Sequence, residues 1–247
     1  YGGQKDLTNQ LLRHVSDAFA EDPLRILRLA QFQARLKGLG FTVHDQTTQL
    51  CREMVDRGDL GTLSRERVFK ELEKALGASH PSEFFAVLAS VNALARIFQG
   101  VRLATTKNLD GPARDTSAEL RFSRLVLENP ALDLQDLNKR LAIPKHWLEL
   151  ADLTRTWAPT FCQVTTLSAD AILNALERGD ARRKPMRFAQ SVQVSCQSLI
   201  METADQAQIV ERWQRLVQQT AKVTLPETAS GLSGQDIKAM IRAEQLR

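Results

Sequence analysis

Glu21-Asp22-Pro23-Leu24-Arg25-Ile26-Leu27-Arg28-Leu29-Ala30-Gln31-Phe32-Gln33-Ala34-Arg35-Leu36-Lys37-Gly38-Leu39-Gly40 is the stretch on which the reading of the fold turns. Its apolar residues recur at three- and four-residue spacing, the period of a helix with one buried face. Asp22-Pro23 offers an N-cap and a first-turn proline, and Gly38 and Gly40 close the far end, so a helix over Asp22 to Lys37 is predicted. The same period predicts helices at 45–57, 65–77, 81–98 with a break, 116–129, 133–142, 144–157, 168–178, 184–200, 203–222 and 234–245. Alternating, strand-like runs are few and short. The expected class is all-α, an elongated multi-helix stack.

Working outward, Gln99 to Thr116 is polar and aperiodic, with Gly100, Gly111 and Pro112, and reads as a linker. A second break is expected from Pro159 to Ser168. Three parts follow: 1–99, 100–160 and 161–247. A chain of 247 residues with 43% hydrophobic content buries a real core, which excludes a disordered protein. The net charge of +4 fits a phosphate-bearing partner without singling one out. Cys51, Cys162 and Cys196 lack CxxC spacing, which argues against a zinc site and a disulfide framework. The chain opens on Tyr1-Gly2-Gly3, with no apolar leader or membrane-length stretch, and reads as a truncated N-terminus of a cytoplasmic protein.

Three clusters in the first 76 residues carry the chemistry: Tyr1-Gly2-Gly3-Gln4-Lys5-Asp6-Leu7, then Glu21-Asp22-Pro23-Leu24-Arg25-Ile26-Leu27-Arg28, then Arg65-Glu66-Arg67-Val68-Phe69-Lys70-Glu71-Leu72. Taken singly each has an ordinary explanation. Asp22 before Pro23 is an N-cap, Glu21 with Arg25 is an i, i+4 pair, Gly2-Gly3 is a turn signal, and Arg67 with Glu71 is a surface ion pair. In this order, with Leu12-Arg13-His14-Val15 and Gly40-Phe41-Thr42-Val43 between them, they resemble consecutive motifs of class II tRNA nucleotidyltransferases, the bacterial CCA-adding enzymes and their poly(A) polymerase relatives.

The resemblance implies that Asp22 and Arg25 form an amino-acid template for the incoming base, with Arg28 free for the triphosphate or ribose. Hydrogen-bond chemistry agrees. Cytosine and adenine both present an amino donor beside a ring-nitrogen acceptor, whereas guanine and uracil present the reverse. An ionised carboxylate cannot donate and a guanidinium cannot accept, so the pair rejects guanine and uracil. On a helix, Asp22, Arg25 and Arg28 share one face. Glu21, Arg67 and Glu71 are expected to support the template, and Gly2, Gly3 and Asp6 to form a hinge. The substrates implied are CTP and ATP, and the partner is the 3′ end and upper half of tRNA.

The resemblance also implies magnesium held by an Asp-x-Asp pair in a catalytic head upstream of Tyr1. The chain carries no substitute for that pair, so no catalytic or metal-binding residue is expected in it, and by itself it is expected to be inactive. Asp133, Asp136 and Asp170 qualify by residue type only, and His44-Asp45 reads as a helix start rather than a phosphohydrolase metal motif. Gln31 replaces an arginine common in relatives, which implies one weaker RNA or phosphate contact. Beyond residue 100 the likeness thins to Arg182-Arg183-Lys184-Pro185-x-Arg187 and Gly231-Leu232-Ser233-Gly234, expected RNA contacts whose plainer readings are a basic turn and a capped turn. Lys139, Arg140 and Lys145 extend a candidate basic track. Two other readings stay open: an enzyme adding only A or only CC, including a poly(A) polymerase, and a non-enzymatic helical RNA-binding protein.

Overall fold

A computed structural model describes residues 2–114, 116–200 and 202–221. Among these residues the chain is helical almost throughout. In order come α1 (Gly3–Thr8), β1 (Leu11–Leu12), α2 (Leu24–Leu36), β2 (Thr42–Val43), α3 (Asp45–Asp56), α4 (Arg65–Leu76), α5 (Pro81–Ser90), α6 (Leu94–Ile97) and α7 (Leu103–Thr106). They are followed by α8 (Ala118–Glu128), α9 (Leu134–Leu141), α10 (Lys145–Cys162), α11 (Ala169–Arg178), α12 (Pro185–Leu199) and α13 (Thr203–Ala221). The expected helix at 234–245 lies outside the described residues.

Two compact units divide the chain, Tyr1–Leu148 and Glu149–Arg247. These boundaries differ from the three-part division expected above, which concerns roles rather than compactness. In the first unit α2 is central. Leu24, Ile26, Leu27, Ala30 and Ala34 are buried, and α2 packs chiefly on α5 and α4. Each fully buried leucine or isoleucine here contributes about 1.5–3 kcal/mol. Phe84, Phe85 and Phe98 meet edge to face beneath it, with centroids 5.3–5.9 Å apart.

A two-residue parallel strand pair, which no alternating run announced, joins Leu11–Leu12 to Thr42–Val43. Thr42 N–H donates to Gln10 O at 2.9 Å and His44 N–H to Leu12 O at 3.1 Å. The pair staples the segment before α2 to the segment after it. Gly40 makes the return with φ +86°, a left-handed conformation that would strain any other side chain.

The stretch expected as a linker is instead fastened onto the first unit. Asn129 Oδ1 accepts from Arg102 N–H and Thr105 Oγ1, at 2.7 and 3.1 Å. Asp110 accepts from Ser82 N–H and Oγ, at 2.9 and 2.7 Å. The buried Arg121 donates to the carbonyls of Leu76, Ala78, Gly111 and Pro112. Polar side chains serve this backbone, so apolar periodicity does not reveal it.

The second unit has its own core. Phe161, Phe188 and Trp213 pack edge to face, with centroids 5.1–5.5 Å apart, and Trp213 Nε1 donates to Phe161 O at 2.9 Å. α10 runs through Pro159, and the break expected from Pro159 to Ser168 begins only after Cys162. Proline removes one N–H, but only one turn of helix remains beyond it, so little of the ladder is lost.

Candidate functional site

Asp22 closes a 3-10 turn over Asp17–Glu21 in an extended conformation, φ −125° and ψ 104°. It therefore precedes α2 instead of lying on its first turn. Its Oδ1 accepts from Leu24 N–H at 3.0 Å, which realises the capping role. Its Oδ2 accepts from Arg67 Nη2 on α4 at 2.9 Å. Burial pushes the Asp22 carboxyl up, but the Leu24 N–H and the Arg67 guanidinium outweigh it and hold the group below the usual carboxylate range. The side chain stays 27% exposed, so at neutral pH this is an accessible, acceptor-only carboxylate.

Arg25 Nη1 donates to Ala18 O, the carbonyl of the turn that precedes it. Glu21 is exposed, and among the described residues it makes no ion pair with Arg25. Arg28 Nε lies 3.9 Å from Glu71 Oε1, and Lys74 Nζ reaches the same oxygen at 2.8 Å. The Glu71 side chain is only 4% exposed, and its Oε2 has no hydrogen-bond partner. The expected Arg67–Glu71 pair along α4 thus gives way to two pairs across the seam, Arg67 to Asp22 and Glu71 to Arg28. Spacing in sequence exposes the along-helix option only, whereas Glu71 sits on the face of α4 that turns into α2.

Gly2 has φ +75°, the left-handed region, immediately before α1. Gly3 begins the helix, and Asp6 Oδ1 pairs with Arg13 Nε at 3.1 Å. Above them opens a groove of about 990 Å³, whose apolar wall includes Leu7, Val15, Phe19, Phe32 and Leu39, with Arg25 and Arg28 on its edge. Leu7, Val15 and Leu39 are 63–65% exposed. Asp22 does not line the groove. The groove went unnoticed in the sequence, although Phe32 stands on the same face of α2 as Arg25 and Arg28 and was a signal for it.

The second cluster of cations is largely paired internally. Arg183 donates to Asp180 at 2.8 and 3.1 Å, and Lys184 and Arg187 both reach Glu149 Oε2 at 2.7 Å. Bonds from Lys184 and Arg187 hold the Glu149 carboxyl below its ordinary value, and Arg183 does the same for Asp180. Arg182 is exposed. Arg140 pairs with Asp136, and Gly231 and Gly234 lie outside the described residues. Gln31 is 8% exposed, inside the core.

Asp133 caps α9 and His44 Nδ1 caps α3, accepting from Gln46 N–H at 3.2 Å. Among the described residues no three or more His, Cys, Asp or Glu side chains gather as metal ligands, and no helix is long and apolar enough to cross a membrane.

Comparison with known proteins converges on this arrangement. Residues 40–103 match the family described as the probable RNA and SrmB-binding site of polymerase A. The Multifunctional CCA protein of Pseudomonas putida is 34% identical over the whole chain, which spans 68% of that protein. A CCA-adding enzyme solved with CTP superposes with a TM-score of 0.69 at 14% identity, over the whole chain and 60% of that structure. The Thermotoga maritima CCA-adding enzyme complexed with tRNA gives 0.61 at 16% identity, over the whole chain and 62% of that structure. With an almost wholly helical fold and a relative of this identity matched from end to end, the chain belongs to the family of CCA-adding enzymes.

Proposed function

We propose that this chain selects CTP and ATP and holds tRNA while the 3′-terminal CCA is added or repaired, the work of a CTP/ATP:tRNA nucleotidyltransferase in the cytoplasm. Asp22 accepts from the amino group of cytosine or adenine, and Arg25 donates to the adjacent ring nitrogen. Guanine or uracil would leave both unpaired, at about 1–3 kcal/mol for each buried polar group. The observation that carries this reading is the Asp22 carboxylate, held ionised by Arg67 and Leu24 N–H yet still open to solvent. Arg25 would exchange the Ala18 carbonyl for the base, and Arg28 would take the triphosphate or ribose. Gly2, Gly3 and Asp6 serve as the hinge, and Glu21, Arg67 and Glu71 support the template.

In this reading the parts are hinge and neck (1–99), linker and body (100–160) and a tRNA-binding tail (161–247), with Arg182, Arg183, Lys184, Arg187, Gly231 and Gly234 as tail contacts. Magnesium ions would supply charge stabilisation to phosphoryl transfer. Asp22, Glu71, Asp133, Asp136, Glu149 and Asp180 are engaged as caps or in ion pairs and do not fit that role; in this reading the ions are held by a head domain outside this chain, and the chain alone does not catalyse.

The test is nucleotide incorporation by the full-length protein into tRNA ending before C, CC or CCA. Asp22→Ala and Arg25→Ala are expected to lose the preference for CTP and ATP by about ten- to a hundredfold. Undiminished preference in both variants overturns the template. One observation favours a second reading, adenosine addition alone: the match of residues 40–103 to a polymerase A family. CTP incorporation by the wild-type protein would exclude it.

A further inference from the structure

Arg67, Lys70 and Lys74 recur at three- and four-residue intervals and so share one exposed stripe of α4, bordered on the Lys70 side by Glu66 and Glu73. Across the seam stands Arg28. Arg67, Arg28 and Lys74 keep 47–57% of their side chains exposed although each has a carboxylate partner. The partner of two of them, Glu71, is buried, and through a single oxygen it holds Lys74 and faces Arg28 from beneath. A carboxylate placed below its cations fixes their stems without covering their heads. Lys70 is exposed and makes no ion pair among the described residues, so its ammonium is open to a phosphate.

We propose that this stripe is a phosphate-binding track for the RNA strand whose 3′ end is extended, a contact separate from the tail cluster. The proposal rests on the RNA-holding reading above. From Arg67 to Lys74 α4 rises about 10 Å, and neighbouring cations stand about 5–6 Å apart at Cβ, a spacing suited to successive phosphodiesters. A single triphosphate is too short to use the whole track. The track begins at Arg67, which holds Asp22, so a strand lying on it delivers its terminus beside the base-reading pair. α4 also lies wholly within residues 40–103, the segment that matches an RNA-binding family.

The experiment measures binding of tRNA lacking CCA to the full-length protein over a range of salt, for wild type, Lys70→Glu and Lys70→Glu/Lys74→Gln, with the KM for CTP read at saturating tRNA. The double variant is expected to bind about tenfold or more weakly at low salt, with the logarithmic salt slope reduced by about 1–2. Lys70→Arg restores both, which a folding defect would not allow. Unchanged affinity and slope overturn the proposal. So does a raised KM for CTP with unchanged tRNA affinity, which would make the stripe a triphosphate site. Base selection is scored separately, by incorporation ratios at saturating tRNA, so the two readings fail independently.

Discussion

Arg67, Arg28 and Lys74 in the first unit, and Arg183, Lys184 and Arg187 in the second, are alike in composition and differ in what lies around them. In the first, the cations stand on two helices packed over a common core, and the carboxylate that gathers Lys74 and Arg28 is buried, with one oxygen unpartnered. In the second, Asp180 and Glu149 sit among the cations and neutralise them locally, Glu149 taking two on one oxygen. Counting basic residues does not separate the two clusters. Geometry does so for Lys74 and Arg28, because an anion beneath a cation orients it whereas an anion beside it competes with a phosphate.

The comparison breaks most severely if the frame under the first cluster is removed. Arg121 satisfies four backbone carbonyls at the end of α4 and in the 111–112 loop. Arg121→Met is expected to cost about 3–5 kcal/mol in urea unfolding, since buried carbonyls are left without donors. A loss under about 1 kcal/mol would mean that the loop is held by other means. Next in size is the contrast between clusters. Arg182→Ala/Arg183→Ala should weaken tRNA binding and lower the salt slope by at most about one phosphate contact, less than the α4 double variant, because Arg183 is already spent on Asp180. A larger effect from the tail pair would reverse the ranking by geometry.

The course of α2 was legible in the sequence because apolar period, cap and terminal glycines all agreed there. The 99–116 stretch was not, since polar bonds hold it, from Asn129 and Arg121 outside it and from its own Asp110 to Ser82. The site was legible as a set of residues and not as a set of partners. Asp22, Arg28, Arg67 and Glu71 do gather at one seam, while Arg25 turns to Ala18 O; Arg67 and Glu71 reach across to Asp22 and Arg28, and a pairing between elements leaves no trace in spacing along one. Lys70 and Lys74 were passed over for the same reason, as exposed lysines gain meaning only from the neighbouring helix.

The most direct test of base selection inverts the polarity of the pair. Asparagine in place of Asp22 can donate to a carbonyl, and glutamine in place of Arg25 can accept from a ring N–H. In the full-length protein, Asp22→Asn/Arg25→Gln is therefore expected to raise UTP incorporation relative to CTP, and GTP relative to ATP, by at least about tenfold. A variant that remains active and keeps the wild-type ratios would contradict selection by this helix.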